Sequence, residues 1–235
     1  MNSIIEGFLK AFSLILTLDR ELVGIILLSL QVSGTAILIA SLAGIPAGAT
    51  AALVRFPGRG FVITISNTFM GLPPVVAGLF VYLILSRSGP LGFIGLLYTP
   101  SAMIIAQTIL ALPIVTSLCH SAIVNVDPLI SQAAATLGAT PYQKALTIVR
   151  EARYGIFAGI IAGLGRVMAE VGAILIVGGN IAGYTRVMTT TIALETDKGN
   201  FELALALGII LLAISLIINS LLHVFQKKNI AGAGR

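Results

Sequence analysis

Long runs of Ile, Leu, Val, Ala and Gly fill most of this chain, and its polar residues collect in the short breaks between them. A membrane-crossing helix needs about 20 mostly apolar residues. Five runs reach that length, at residues 22–54, 61–85, 101–124, 156–178 and 203–225. Strands of a transmembrane barrel would alternate polar and apolar positions, whereas these runs are apolar throughout. The pattern therefore predicts an all-α integral membrane protein with about five transmembrane helices. Gly44, Pro46 and Gly48 interrupt the first run, which is expected to kink there or to begin along the interface. Residues 4–18 form a shorter run that carries Glu6 and Lys10. An amphipathic helix lying on the membrane surface is expected there, with a sixth span as the alternative. The chain thus divides into an N-terminal interfacial helix at 1–20, a transmembrane domain at 21–226 and a tail at 227–235.

One stretch breaks the apolar pattern: SQAAATLGATPYQKALTIVREA, residues 131–152. Asp127-Pro128 just before it is a good helix start, since Asp caps free amides and Pro suits the first helical position. Leu129, Ile130, Ala133, Ala134 and Leu137 follow helical spacing on one face, and Gly138 offers a stop. Thr140-Pro141-Tyr142-Gln143 then has the spacing of a capping box, so a second helix is expected, with Ala145, Ile148, Val149 and Ala152 as its apolar stripe. The insert at 127–152 reads as helix, tight corner, helix. Its small-residue apolar face suits either docking of a partner or a plain linker hairpin.

Composition agrees with the pattern. Of 235 residues, 57% are hydrophobic and only 10% charged, against about 25% charged in a soluble domain. With five spans, Arg55, Arg59, Lys144, Arg150, Arg153, Lys227 and Lys228 fall on one side of the membrane. Arg20, Arg87, Arg186 and Lys198 fall on the other, among Asp19, Glu21, Glu195, Asp197 and Glu202. Lys and Arg concentrate in cytoplasmic loops, so the first side is expected inside, with the N-terminus outside and the C-terminus cytoplasmic. The net charge of +5 belongs to those loops and gives no ground for a nucleic-acid partner. No cleavable signal is expected. Cys119 is the one cysteine, and a buried, inert thiol is expected.

The insert resembles the coupling motif of ABC importer permeases. That motif runs Glu-Ala-Ala, three residues, Gly, nine residues, Ile, one residue, Leu-Pro. Ala133, Ala134, Gly138 and Ile148 match it at the right spacing, while Gln132 stands in place of Glu and Arg150-Glu151 in place of Leu-Pro. The stretches SLQVSGTAILIASLAGIPAGA, GLPPVVAGL, SRSGPLG and GRVMAEVGAILIVGGNIAGYTR resemble the molybdate, tungstate and sulfate branch. MTTTIALETDKGNFELALALGIIL is most similar to the tungstate type. The resemblance implies an oxyanion permease, for tungstate or molybdate, that works as a homodimer with separate ATPase subunits and an extracytoplasmic binding protein. It also implies that Gln132, Ala133, Ala134, Leu137, Gly138 and Ile148 form the loop that enters the ATPase. A nucleotide-binding loop needs Gly-Lys followed by Ser or Thr, and no lysine here follows a glycine. An enzyme or a resident cofactor is therefore not expected, and ATP hydrolysis would fall to a partner.

The remaining candidates lie within the spans. Gly155, Gly159 and Gly163 recur at intervals of four, a spacing that lets membrane helices approach closely. At roughly 100° per residue the same face reaches Arg166 and Glu170. A charge at the bilayer centre costs roughly 3 kcal/mol, so these two are expected to face protein or water and can pair at a separation of four, as a structural salt bridge or as a gate element with Arg166 exposed to a passing oxyanion. Pro73-Pro74 must break the second span, either as a packing kink or as a hinge along the path. Asn180, Thr189, Thr190 and Thr191 could donate to an oxyanion or simply cap turns. His120 and His223 are expected at span ends, and no metal-site spacing is present. A gradient-driven transporter or channel is the competing class; it would show internal repeats and ionisable groups spread along the midplane.

Overall fold

The computed structural model describes residues 20–233 together with Leu9 and Ser13, with side chains as far as Ser220. Apart from Leu9, Ser13 and Arg20, the interfacial helix expected at 1–20 lies outside the described residues, as does the side chain of His223. Helix α1 spans Arg20–Leu53, α2 Arg59–Met70 and α3 Pro74–Leu85. A short turn at Gly92–Ile94 leads to α4, Pro100–Val124, followed by α5, Pro128–Thr136, and α6, Pro141–Glu151. The chain then forms α7, Arg153–Met168, α8, Gly172–Gly178, α9, Met188–Asp197, and α10, Phe201–Ala233. Helix α10 runs through the boundary expected at 226.

Three helices, α1, α4 and α10, are each long and apolar enough to cross a membrane. The second expected span breaks at Pro73-Pro74, as its sequence predicts, whereas the fourth breaks where no interruption was expected. Each is a bent pair, α2 with α3 at 106° and α7 with α8 at 59°. Counting each pair as one crossing gives five.

Contacts show that both pairs traverse the molecule. Helices α1 and α4 run parallel: the Thr108 hydroxyl faces the Ala36 carbonyl at 3.5 Å, and Gly48 lies against Thr116 and Cys119. The α5–α6 hairpin therefore marks one end of the molecule and the start of α4 the other. Helix α2 starts at the hairpin end, where Arg59 donates to the Ala52 carbonyl at 3.4 Å. Helix α3 finishes at the far end, where Tyr82 meets Tyr98, ring centroids 6.5 Å apart. Helix α7 starts beside Ala122, and α8 ends beside Met103. The basic residues Arg55, Arg59, Lys144, Arg150 and Arg153 thus gather at the hairpin end, as expected.

The glycines of the first span have a packing role that the sequence did not reveal. Helix α1 is uninterrupted over 34 residues with Pro46 inside it. Gly44 and Gly48 are buried contacts with α4: a Cβ on Gly48 would lie 2.5 Å from the Thr116 carbonyl oxygen. They serve close approach between helices. The glycine stripe of α7 behaves as expected, since Cβ atoms at Gly155, Gly159 and Gly163 would crowd Ala122, Leu118 and Ile37 at 2.6–2.9 Å. The core between α3, α4 and α8 is built from Ala77, Val81, Met103, Ala106, Ala173 and Val177. Cys119 is buried, as expected, 1% exposed.

Candidate coupling and translocation sites

The hairpin forms as its local chemistry dictates. The Asp127 carboxylate accepts from the Leu129 amide at 2.8 Å, capping α5, whose first helical residue is Pro128. At its other end the Ala139 amide donates to the Ala134 carbonyl (3.0 Å) and the Gly138 amide to the Ala135 carbonyl (3.1 Å). This paired closure needs a left-handed residue after the helix, and Gly138 supplies φ 77°. Thr140 and Gln143 then complete the capping box of α6, with the Thr140 amide donating to Gln143 Oε1 at 2.8 Å and the Gln143 amide to Thr140 Oγ1 at 3.3 Å. No residue of α5 or α6 is fully buried. Leu137 is 87% exposed and Leu129 67%, which leaves an apolar face uncovered on a hairpin that projects from the bundle. Gln132 and Ala133 are exposed as well, Ala134 is half-buried, and Ile148 is half-buried against the Cys119–Ile156 cluster.

The two broken spans break side by side. Pro73 and Pro74 cannot donate amides, and α2 stops at Gly71, whose amide folds back to the Thr68 carbonyl at 3.1 Å. Helix α3 restarts with Pro74 at its first turn. In the partner pair α7 stops at Met168, and Glu170 sits in the gap, 5% exposed. Its Oε1 accepts from the Ala173 amide at 2.9 Å, and its carbonyl accepts from the Thr189 hydroxyl at 2.8 Å. Gly172 lies against Val75 and Gly78 against Ala173, so closely that a Cβ on either glycine would fall within 2.8 Å of its neighbour. Irregular backbone at membrane depth persists only where it is buried in protein or lines a watery path. Pro73, Pro74, Glu170 and Thr189 therefore share one locus.

The Arg166–Glu170 salt bridge that the sequence allows does not form. The break at Ala169 removes the helical register, so the two side chains diverge: Arg166 is exposed, while Glu170 turns inward to cap α8. Asn180 lies apart, at the far end, with φ 50° and its amide toward the Thr190 carbonyl at 3.4 Å. Thr190 and Thr191 donate to the Val187 carbonyl at 3.1 and 2.7 Å, so their hydroxyls are engaged in the turn. Gln107 is absent from the sequence-derived candidates. It is 1% exposed and donates to the Val167 carbonyl at 2.8 Å, which also accepts from the Glu170 amide at 3.3 Å where α7 ends. A lone amide in the middle of an apolar span was the signal. Gln107, Thr189, Ser29 and Ser33 line a small cavity of about 10 Å³.

Separated in this way, Arg166 and Glu170 should behave independently. Glu170→Ala leaves a buried amide without its acceptor and is expected to cost about 1–3 kcal/mol, whereas Glu170→Gln keeps an acceptor oxygen and should lose less. In a double-mutant cycle with Arg166→Gln, melting of the detergent-solubilised protein should be additive to within about 0.5 kcal/mol. A larger coupling would restore the ion pair.

Residues 44–230 match the family described as binding-protein-dependent transport system inner membrane component. A probable anion ABC transporter permease protein of Haloferax volcanii is 45% identical over 91% of this chain and 94% of its own length. The tungstate uptake system permease protein TupB of Peptoclostridium acidaminophilum is 41% identical over 97% of this chain and 100% of its own. Among solved structures, a bacterial alginate ABC transporter in complex with its pentasaccharide-bound periplasmic protein contains a chain of the same fold. Its TM-score is 0.76 at 21% identity, covering 97% of this chain and 87% of that one.

Proposed function

This chain belongs to the family of binding-protein-dependent transport system inner membrane components, and from that premise we propose that it is the permease subunit of an ABC importer for tungstate. The observation that carries the substrate is the 41% identity to a tungstate uptake permease over the whole of that relative. The chain is a transport subunit, and ATP hydrolysis lies on separate partner subunits. The exposed α5–α6 hairpin, with Gln132, Ala133, Ala134, Leu137, Gly138 and Ile148, enters a groove of that ATPase. Its end of the molecule carries the denser set of Lys and Arg, which supports a cytoplasmic hairpin. An extracytoplasmic oxyanion-binding protein then docks at the opposite end.

A second copy of the chain completes the path. Helix α2 has no buried residue, and Phe61 and Phe80 are 70% and 63% exposed. Arg166 is exposed on the same domain, and facing it to lipid would cost about 2.5–3.5 kcal/mol. A partner copy or a watery path across from Arg166 removes that cost. The adjoining breaks at Pro73-Pro74 and Glu170 are the hinge between the two accessible states, with Thr189 tying Glu170 to α9. Lipid covers the remaining apolar surface.

Proteoliposomes test the whole. Tungstate should accumulate only when this chain, its ATPase and the loaded receptor are present with ATP. Accumulation driven by an ion gradient without ATP would make the chain a secondary transporter.

A further inference from the structure

We propose that the pocket between the end of α3 and the start of α4, at the opposite end from the hairpin, is an oxyanion site with Arg87 as its cation and the hydroxyls of Ser88, Tyr82 and Tyr98 as further donors. These four residues line a cavity of about 580 Å³ together with Ser86, whose hydroxyl donates to the Leu83 carbonyl at 3.2 Å, and no carboxylate lines it. Among the described residues the ion pairs are Arg186–Glu21 and Lys198–Glu195, so Arg87 carries an unbalanced positive charge into the pocket wall. At about 30 Å³ per water the space holds a tetrahedral dianion with its hydration shell. A guanidinium fork matches two oxygens of such an anion.

The pocket is held in shape by its own loop. A Cβ on Gly89 or Gly92 would overlap the carbonyl oxygens of Leu83 and Ser86, so the backbone there folds tightly on itself. Tyr98 has φ 62°, a region bulky residues rarely enter, and strain of this kind persists where the surroundings enforce it. Its amide donates to the Val177 carbonyl at 2.9 Å. Its ring packs on Gly179, where a Cβ would come within 2.9 Å, and meets Tyr82 edge-on. A hydrogen bond with the Tyr82 hydroxyl, helped by burial, raises the Tyr98 phenol above its usual range, so the two rings present their hydroxyls to the pocket as a linked pair. A single cation in a half-open, wet pocket holds an anion loosely, which suits a hand-over point that must fill and empty.

This inference rests on the oxyanion-import reading, and two measurements separate them. The full-length chain in phosphatidylcholine nanodiscs is dialysed against tungstate without receptor or ATPase. The wild type should retain tungstate, displaced by molybdate but not by equal chloride. Arg87→Gln should weaken retention about tenfold, as expected for losing a charge-assisted pair of hydrogen bonds. Arg87→Lys should fall between, and Tyr98→Phe should weaken it less than Arg87→Gln. No wild-type retention, or retention unchanged by Arg87→Gln, overturns the site, as does an Arg87→Gln defect confined to receptor docking. ATP-driven tungstate uptake by the wild type with its ATPase and receptor is run in parallel. Its failure would remove the transport reading, whereas uptake with unaltered dialysis removes only the pocket.

Discussion

Replacing Gly138 with valine is expected to abolish coupled transport while leaving the membrane domain assembled. Gly138 holds φ 77°, and a Cβ there would meet nothing within 4 Å. The substitution therefore acts through the backbone alone. The left-handed conformation costs an L-residue about 1–2 kcal/mol, and β-branching adds to that. The corner would relax, and the closing bonds from Gly138 and Ala139 to the end of α5 would go. Because no residue of α5 or α6 is fully buried, the bundle has little packing to lose. In the proposed coupling role, what changes is the angle at which Leu137 and the apolar face of α5 are presented to the ATPase. Reconstituted uptake should fall about tenfold or more, equivalent to roughly 1.4 kcal/mol of lost coupling. ATP hydrolysis should continue without stimulation by the loaded receptor. Gly138→Asn, which tolerates the left-handed region, should retain most transport. Normal uptake by the valine variant would remove the coupling role from this corner.

The hairpin was legible in the sequence because each of its determinants is local. Asp127, Gly138 and the Thr140–Gln143 box act within three or four residues of themselves, so spacing alone locates them. The three long helices and the two bent pairs were legible as apolar runs because membrane thickness sets the run length, and Pro73-Pro74 announced the first break by lacking amides. The second break was not legible. Helical spacing put Glu170 under Arg166, but the actual partners of that segment are distant along the chain. Gln107 takes the Val167 carbonyl from 60 residues away, and Thr189 takes the Glu170 carbonyl from 19. No local pattern encodes such bonds. The threonines illustrate the same limit, since their hydroxyls could equally face a passing anion or cap a turn, and only the fold shows them engaged with backbone carbonyls.

Gly48 makes the sharpest case of a residue whose meaning lies in another helix, and Gly48→Leu is expected to prevent stable assembly. The added Cβ would stand 2.5 Å from the Thr116 carbonyl oxygen, 3.0 Å from Cys119 Cβ and 3.1 Å from the His120 amide nitrogen. These are backbone atoms and a Cβ, so no rotamer change can clear them, and α1 and α4 must separate. Overpacking a core costs typically about 1–3 kcal/mol when side chains can adjust, and this site should reach or exceed the upper figure. In a bilayer the loss is harder to recover, because close van der Waals approach is what joins the helices. Gly34 lies on the same helix, and a Cβ there would meet nothing within 4 Å, so Gly34→Leu serves as the matched control. Alanine gives the decisive comparison. In an open helical position Gly→Ala gains up to about 1 kcal/mol from backbone entropy, so Gly34→Ala should raise the melting temperature of the solubilised protein. Gly48→Ala should lower it, because the clash begins at the first carbon. A gain at both positions would show that α1 and α4 are not in this contact, and the parallel α1–α4 pairing that defines the two ends of the molecule would have to be redrawn.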